Sequence, residues 1–254
     1  MSPDRDPGGD LSGKVAVVTG AGRGIGRAIA EGFAAGGATV VLAARSTDEL
    51  DAVASGITDR GGRALPVATD VTDPEQVEAL FAAAAREGGV DLVVANAGGT
   101  FDHGTVAGGD YDAWRATFTL NVDGVYLSAR AAIPHLRARG GGKILVMGSG
   151  AGRRAGPEWA PYASAKAAVA MFVRVLAQEL RADRIAVNEI IPGPVHTRLT
   201  EGMTLSGPVP AVMAGVAADW FKQPGDVAAL ATYLASLPDD GPTGQTFSLL
   251  GRDL

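Results

Sequence analysis

The chain has 254 residues, of which 46% are hydrophobic, and this length and composition suit one large α/β domain and exclude wholesale disorder. Its formal net charge of −6, without a continuous basic run, argues against a nucleic acid as a partner. The chain contains no cysteine, which excludes disulfides and thiolate-bound zinc.

The first segment, residues 1–12, is polar and rich in Pro, Gly and Asp. We expect it to be a disordered extension that precedes a single dinucleotide-binding catalytic domain over residues 13–254. It lacks the basic start and apolar middle of a signal peptide, and no apolar run approaches the roughly 18 residues that span a bilayer. These features predict a cytoplasmic protein with no membrane partner.

Short β-branched runs then alternate with Ala-rich helical stretches along the chain. The predicted strands are Val15–Thr19, Thr39–Ala43, Ala64–Ala68, Asp91–Ala95, Lys143–Gly148, Arg184–Ile190 and Gln245–Leu249. The predicted helices are Gly26–Ala35, Asp48–Arg60, Pro74–Glu87, Tyr111–Arg139, Ala163–Arg181 and Gly225–Ser236. The pattern predicts an α/β fold of the Rossmann type, a doubly wound, mostly parallel sheet of seven strands with helices on both faces. Ligands of such sheets bind beyond the carboxyl ends of the strands.

A glycine-rich run, Thr19–Gly26, follows the first predicted strand. Its spacing is G-x-x-x-G-x-G, carried by Gly20, Gly24 and Gly26, and no Gly-Lys-Ser/Thr follows that would make it a Walker loop. Glycines allow a tight turn and a close backbone approach, and the helix N-terminus behind them faces a pyrophosphate. An ordinary glycine-rich turn between a strand and a helix is the alternative.

The end of the second predicted strand bears on the choice of dinucleotide. NAD-binding sites place a carboxylate there for the adenosine ribose, but the run Leu42–Ser46 contains none. Arg45 can make a forked contact with a 2′-phosphate, and Arg23 in the glycine loop can reach the same group. These residues favour NADP(H) over NAD(H) as the cofactor, and a plain surface role for Arg45 is the alternative.

Tyr162 and Lys166 lie four residues apart at the start of a predicted helix, so their side chains share one face. Reducing a ketone requires a proton donor beside the oxygen, and a free phenol has a pKa of about 10. An ammonium about 4 Å away contributes roughly 4 kcal/mol at an effective dielectric near 20, or about three pK units. We therefore expect Lys166 to bring the pKa of Tyr162 close to neutrality, although such pairs also occur as plain surface contacts.

Two further polar residues stand where a substrate oxygen would need them. Ser149 ends the fifth predicted strand and can orient the substrate oxygen toward Tyr162. A nucleophilic serine is disfavoured because Met147 occupies the first glycine position of a Gly-x-Ser-x-Gly elbow. Asn121 lies within the long predicted helix, where it either holds a water that links it to Lys166 or is simply a hydrogen-bonded helix residue.

Together these motifs resemble the short-chain dehydrogenase/reductase family, in its compact single-domain branch, from about Leu11 to Phe247. The resemblance implies a catalytic tetrad of Asn121, Ser149, Tyr162 and Lys166, with Tyr162 as the acid/base. It also implies a cofactor site that includes Gly20, Arg23, Gly24, Ile25, Gly26, Arg45, Asp70, Val71, Asn96, Ala97, Gly98, Tyr162, Lys166, Pro192, Gly193, Val195 and Thr197. Many members are 3-oxoacyl-carrier-protein reductases, and homotetramers are common among them.

Several segments depart from the family pattern or stay open. The usual Asn-Asn-Ala-Gly appears as Ala95-Asn96-Ala97-Gly98, and the end of the chain lacks the common Val-Asp-Gly-Gly finish. The apolar segment Leu199–Phe221 falls where such folds carry a substrate lid, although an apolar stripe of this kind is more often core. Arg153 and Arg154 can attract an anionic substrate group or stay solvated.

We expect an oxidoreductase that moves a hydride between NADP(H) and the carbonyl or secondary alcohol of a small, largely apolar molecule. His103, His135 and His196 give no metal-ligand spacing, so no catalytic metal is predicted. Two alternatives stay open: an NAD(H)-dependent dehydrogenase of a hydroxylated ring or sugar-like substrate, and a catalytically silent dinucleotide sensor.

Overall fold

Seven parallel strands form one sheet in the computed structural model, which describes residues 9–154, 156–200 and 221–250. The strands are β1 (Val15–Thr19), β2 (Thr39–Ala44), β3 (Arg63–Ala68), β4 (Leu92–Ala95), β5 (Gly142–Met147), β6 (Ile185–Ile191) and β7 (Thr246–Ser248). Their order is β3-β2-β1-β4-β5-β6-β7, and every pairing is parallel. The predicted doubly wound sheet is confirmed.

Helices cover both faces of this sheet. They are α1 (Gly24–Ala35), α2 (Thr47–Asp59), α3 (Pro74–Arg86), α4 (Tyr111–Phe118), α5 (Gly124–Ala138), α6 (Ala160–Glu179) and α7 (Pro224–Ser236). One core cluster joins the sheet to α1, α2 and α7, and a second joins its other face to α3, α5 and α6. Because successive residues of β1 alternate between the two clusters, the strand is apolar throughout, as the sequence indicated.

Polar side chains begin several helices at the carboxyl edge of the sheet. Ser46, Asp73 and Asp110 each accept hydrogen bonds from backbone N–H groups in the first turn of the helix that follows. Pro74 stands at the first position of α3, where a missing N–H has no consequence. These caps fix where each helix leaves the loops that carry the site.

The strand order reverses between β1 and β4, so their carboxyl ends flank an open crevice. The register pairs Val18 of β1 with Val94 of β4, which brings the glycine loop after β1 next to Asn96. The fold itself thus brings together two segments that lie more than 70 residues apart in the sequence.

The prediction of one continuous helix over Tyr111–Arg139 is wrong. The structure divides it into α4, a π-helical turn at Thr119–Asp123, and α5. Asn121 lies in that turn, and its Nδ2 donates to the Thr117 carbonyl at 2.8 Å. A π turn inserts one residue into the helical repeat and re-aims the side chains that follow it.

Two further expectations need correction, one about the N-terminal extension and one about long apolar runs. Residues 9–12 belong to the fold, since Leu11 is buried and its N–H donates to the Gly36 carbonyl at 2.8 Å, while residues 1–8 lie outside the described residues. Helix α6 is long and apolar enough to cross a membrane by length and composition, with a mean hydropathy of 1.2. Half of that stretch is buried inside the protein, which explains its apolar side chains.

Candidate active site

A cavity of about 1120 Å³ opens at the carboxyl ends of the strands. It is lined by the glycine loop, the ends of β2, β4, β5 and β6, and the first turns of α6. Nearly all the residues predicted to bind a cofactor or act in catalysis line it. The exceptions are Gly26 and Asn121, which lie directly behind its wall.

The glycine loop has the close contacts that its spacing predicts. Gly20 has φ +65°, a conformation that side chains rarely adopt. A Cβ on Gly26 would collide with the Gly20 carbonyl and would lie 2.6 Å from Asn96 Nδ2. The loop can therefore fold tightly against the sheet, with the N-terminus of α1 open toward the cavity.

Asn96 connects the glycine loop to β4. Its Nδ2 donates to the Thr19 carbonyl at 2.9 Å, and its backbone N–H donates to Thr19 Oγ1 at 2.9 Å. The N–H of Ala97 donates to the same hydroxyl at 3.1 Å. These bonds join the glycine loop to the end of β4 and hold the floor of the cavity in place.

The two arginines predicted to bind a 2′-phosphate differ in their surroundings. Arg45 is exposed at the end of β2, lines the cavity, and has no ion pair within the part of the chain that the structure describes. Arg23 instead lies 3.1 Å from Glu49, a carboxylate that also lies 3.4 Å from Arg198. Arg45 is thus the freer cation, and Glu49 neutralises part of the charge of Arg23.

Asp70 and Val71, two residues that the resemblance places in the cofactor site, follow β3 and line the cavity. The Asp70 carboxylate accepts from the Thr72 N–H at 2.9 Å and from the Thr72 hydroxyl at 2.7 Å. Val71 is buried against Gly124, where a Cβ would lie 2.9 Å from its Cγ2. Both residues are therefore held rigidly at the cavity wall.

Tyr162 and Lys166 lie one turn apart on α6 and both face the cavity. The helix begins at Ala160 rather than at the predicted Ala163, so both residues belong to its regular turns. The Lys166 nitrogen donates to the Met147 carbonyl at 2.9 Å and lies 5.6 Å from the centroid of the Tyr162 ring. The strand end of β5 thereby fixes the ammonium beside the phenol.

Burial, rather than the ammonium, has the largest influence on Tyr162. Desolvation raises the pKa of its phenol above the ordinary value, and a hydrogen bond with Ser149 acts to lower it. Desolvation also lowers the pKa of Lys166 to about 8, while the negative charge of Glu189 acts to raise it. The expected shift of Tyr162 toward neutrality is therefore wrong in direction, and its phenol is protonated at neutral pH.

Ser149 and Asn121 complete the predicted tetrad. Ser149 lies two residues beyond β5, accepts from the Ala151 N–H at 3.2 Å, and lines the cavity. Asn121 is fully buried; its Nδ2 donates to the Gly99 carbonyl at 2.6 Å, and its Oδ1 accepts from the Gly99 N–H at 3.3 Å. A Cβ on Gly98 would lie 2.8 Å from Asn121 Oδ1 and 3.3 Å from Lys166 Nζ. Asn121 Oδ1 and Lys166 Nζ thus both lie close to the same position beside Gly98.

The segment after β6 forms another part of the wall of the cavity. Pro192, Gly193, Val195 and Thr197 all line it, as the resemblance implied. The Thr197 methyl group packs on Gly24, where a Cβ would lie 3.3 Å from it. Of the predicted lid, Leu199–Phe221, residues 201–220 lie outside the described residues.

A buried ion pair behind the site was not predicted. Arg153 Nη2 lies 2.7 Å from Glu189 Oε2 and 2.7 Å from the Thr246 hydroxyl, and Thr246 in turn donates to Glu189 at 2.7 Å. A Cβ on Gly148 would collide with the Glu189 carboxylate, so this glycine lets the carboxylate approach the end of β5. Arg153 is therefore not a solvated surface arginine, which was one of the two roles that the sequence left open for it.

Sequence reasoning also missed several residues of the cavity wall. Phe101 and Trp159 line it, and the Trp159 ring meets the Tyr162 ring edge to face at 5.6 Å. Leu250 reaches it from the C-terminal side and packs on Gly150 and Gly193. No spacing rule marks these residues, because loops bring them to the site from distant parts of the sequence.

The three histidines do not approach one another as a ligand set. His103 contacts Trp159, His135 stacks near Phe81, and His196 packs on Phe221. Within the described ranges no group of three or more His, Asp or Glu side chains could hold a metal ion.

Known proteins are similar to this chain in sequence and in architecture. The family model of short chain dehydrogenases matches residues 14–205. The chain is 39% identical to an uncharacterized oxidoreductase of Mycobacterium tuberculosis, over 95% of this chain and 92% of that protein. It is 35% identical to an NADPH-dependent aldehyde reductase-like protein, chloroplastic, of Arabidopsis thaliana, over 95% and 94%. A solved 7α-hydroxysteroid dehydrogenase, complexed with NADH and 7-oxo glycochenodeoxycholic acid, superposes with a TM-score of 0.88 at 30% identity, covering 97% of each chain.

A doubly wound parallel sheet with a glycine loop at its switch point and a Tyr-Lys pair at the same edge defines a dinucleotide-binding oxidoreductase. The chain belongs to the short-chain dehydrogenase/reductase family, which confirms the resemblance. It is an enzyme that acts on CH–OH or carbonyl groups of small molecules with a nicotinamide cofactor.

Proposed function

We propose that this enzyme is an NADP(H)-dependent carbonyl reductase of a small molecule, with Tyr162 as its proton donor. The observation that carries the proposal is the placement of Tyr162, Ser149 and Lys166 in one cavity with the glycine loop. Bound nicotinamide would supply the hydride, that is, one hydrogen nucleus with two electrons, to the carbonyl carbon. The residues of the chain then have to deliver a proton to the oxygen.

Tyr162 is neutral and protonated at neutral pH, as a proton donor for this step must be. Because burial raises the pKa of its phenol, the proton is present at neutral pH and can pass to the far more basic alkoxide oxygen. Ser149 holds the carbonyl oxygen beside it, and the Lys166 ammonium supports the phenolate that forms. The phenolate regains its proton from solvent, so the carbonyl has gained one hydride and one proton to become an alcohol.

The preference for NADP(H) rests on Arg45. Among the described residues this cation at the end of β2 has no ion pair, and it stands at a position where a carboxylate would serve the ribose of NAD(H). A guanidinium can bind a 2′-phosphate through two parallel hydrogen bonds. The relative described as an NADPH-dependent aldehyde reductase-like protein supports this preference, whereas the 7α-hydroxysteroid dehydrogenase complexed with NADH keeps NAD(H) as the alternative.

The proposal is tested by turnover of a panel of ketones and aldehydes with NADPH and with NADH. We expect Tyr162→Phe to lose nearly all turnover while binding NADPH as tightly as the parent. Arg45→Ala should raise KM for NADPH far more than KM for NADH, and Arg60→Ala, which removes an arginine outside the cavity, should change neither. Turnover by Tyr162→Phe at the parental rate would contradict the proton-donor role, and equal effects of Arg45→Ala on both cofactors would contradict the phosphate contact.

We further propose that the chain from residue 9 onward forms a single cytoplasmic catalytic domain that assembles as a homotetramer. Support for assembly comes from an exposed apolar strip on α5 and α6. Tyr126, Met171 and Val175 are each about half exposed, and the Tyr126 ring meets Phe172 across the two helices at 6.3 Å. Monomers rarely leave such a strip in water.

A further inference from the structure

Most charged side chains in the cavity wall already have a partner. The pairs are Arg23 with Glu49, Arg198 with Glu49, Arg27 with Glu31, Asp70 with Thr72, and Lys166 with the Met147 carbonyl. Within the ranges that the structure describes, the side chains of Arg45 and Arg154 are the two charged groups of the wall without an ion pair or hydrogen bond.

These two arginines lie in different parts of the cleft. Arg45 follows β2, and Arg154 follows the turn that carries Ser149 after β5. In the sheet β2 and β5 are separated by β1 and β4, so three strand spacings, or about 14 Å, lie between their ends. Arg45 therefore belongs to the adenosine side and Arg154 to the side of the catalytic residues.

The cofactor offers no anion for Arg154. A dinucleotide has its pyrophosphate at the glycine loop, next to the N-terminus of α1, and NADP(H) adds a 2′-phosphate on the adenosine side. The nicotinamide ring that must face Tyr162 carries no negative group. An anion near Arg154 would have to arrive with the substrate.

Arg154 differs in its contacts from its neighbour Arg153. Arg153 is tied to Glu189 and Thr246 behind the site, whereas Arg154 lines the cavity and is half-buried. A half-buried guanidinium gives up part of its hydration, and without a counter-charge nothing offsets that loss. A carboxylate offsets it with two parallel hydrogen bonds.

The other walls on this side are apolar. Phe101 is 53% exposed at the cavity edge after β4, Trp159 shields Tyr162, and Leu250 covers the turn at Gly150. Aromatic and aliphatic surfaces of this kind fit a hydrocarbon body better than a sugar.

We propose that Arg154 binds a carboxylate of the substrate, so that the enzyme's substrates are apolar oxo acids, whose aldehyde or ketone group and carboxylate are carried on one hydrocarbon or aromatic body. This inference rests on the proposed function and names the substrate class of that same site. It replaces the expectation of a largely apolar substrate by an amphipathic one, with Arg154 as the specificity-determining residue.

Matched pairs of probes test it, each pair consisting of an acid and its neutral methyl ester. Suitable pairs are 4-carboxybenzaldehyde with methyl 4-formylbenzoate, 3-carboxybenzaldehyde with methyl 3-formylbenzoate, and benzoylformate with methyl benzoylformate. We expect kcat/KM of the parent with NADPH to favour the acid of at least one pair by about 10- to 100-fold, the range that charged hydrogen bonds supply. Arg154→Met should reduce that ratio to about one, and Arg154→Lys should keep part of it.

Arg86→Met is the matched control, since Arg86 is an exposed arginine at the end of α3, away from the cavity. It should keep the parental ratio. A binding measurement that needs no turnover accompanies the kinetics: benzoate titrated by calorimetry into enzyme saturated with NADP⁺ should bind the parent and Arg86→Met equally and Arg154→Met more weakly.

The outcomes separate the two proposals. An acid-to-ester ratio that stays high in Arg154→Met, or a parent that prefers every ester, would overturn the role of Arg154 while leaving the reductase intact. If neither acids nor esters are reduced with either cofactor, the proposed function itself fails, and the substrate class fails with it.

Discussion

Lys166 keeps a positive charge at a place that little water reaches. Desolvation lowers the pKa of its ammonium to about 8, and the carboxylate of Glu189 acts against that loss. Below that pH the ammonium stands beside Tyr162, and above it the site loses the charge that supports a phenolate. We therefore expect this lysine and the carboxylate behind it to set the alkaline limit of activity.

We expect kcat/KM for NADPH to fall as the pH rises through about 8, because the free enzyme then loses the charge of Lys166. The pKa of Tyr162 is raised, so its ionisation is not the origin of this limb. Glu189→Gln removes the negative charge that raises the pKa of Lys166 and should move the limb to lower pH. The measurement is kcat/KM across the neutral and mildly alkaline range at constant ionic strength.

Glu78→Gln serves as the control for that experiment, since it removes an exposed carboxylate from α3. Its pH profile should superimpose on that of the parent. A Glu189→Gln profile that also superimposes on the parent would show that Glu189 has no electrostatic influence on the site.

For individual residues, the sequence predicted which residues form the site better than it predicted their ion pairs and pKa shifts. The spacing of Tyr162 and Lys166 and the missing carboxylate at the end of β2 are visible in the chain alone. The pairing of Arg23 with Glu49 joins positions 26 residues apart, and no local pattern announces it. The direction of the shift at Tyr162 depends on how completely the folded chain buries the phenol, which a pairwise estimate with Lys166 leaves out.

The turn after β5 is held to its neighbours by one buried ionic contact. Arg153 in this turn reaches Glu189 on β6 and Thr246 on β7, and Glu189 is 1% exposed. Arg153 Nε and Glu189 Oε1 have no partner in the described structure, so the pair is incompletely satisfied. Such a pair holds the catalytic turn against two strands. Its net contribution to the stability of the protein is small, because burying two charges costs desolvation free energy.

Arg153→Met should lower the free energy of unfolding by about 3 kcal/mol, because it leaves the Glu189 carboxylate buried without its counter-charge. Arg153→Met/Glu189→Gln removes both charges and should recover more than half of that loss. Urea denaturation followed by circular dichroism measures both. A single variant as stable as the parent would mean that water or a rearranged side chain already satisfies Glu189.

Among the elements, the π turn at Thr119–Asp123 interrupts a helix that the sequence predicted as continuous. Apolar residues recur at helical spacing through the whole of Tyr111–Arg139, so periodicity alone predicts one helix. The turn arises from contacts that lie outside this periodicity, since Asn121 bonds to Gly99 in the loop after β4. Its position depends on how the helix packs against the loop after β4, which the local sequence does not encode.

For the whole molecule, the alternation of strands and helices was enough to predict the sheet. The five inner strands are buried on both faces along most of their length, which favours nearly continuous apolar runs. Each predicted strand lies within one residue of the observed one at both ends. The cavity wall was harder to predict, because Phe101, Trp159 and Leu250 come from three loops whose paths no periodic pattern encodes.

The proposed tetramer is a prediction at this same scale. Met171 and Val175 lie one turn apart on α6 and present the same exposed face. We expect Met171→Arg to shift the mass measured by light scattering toward smaller assemblies, because a charge cannot be buried there without a partner. Ala82→Arg, which adds the same charge to the exposed side of α3, should leave the mass unchanged. A parent enzyme with the mass of one chain would contradict the proposal.

Leu250 gives this enzyme a wall that can be altered without disturbing its frame. It lies two residues beyond the last strand, outside both core clusters, yet it packs on the glycines at either side of the catalytic cleft. A smaller or larger side chain there would enlarge or narrow the room for a substrate while the sheet and its helices stay as they are. Substrate range in this enzyme can thus evolve, or be engineered, from the tail of the chain.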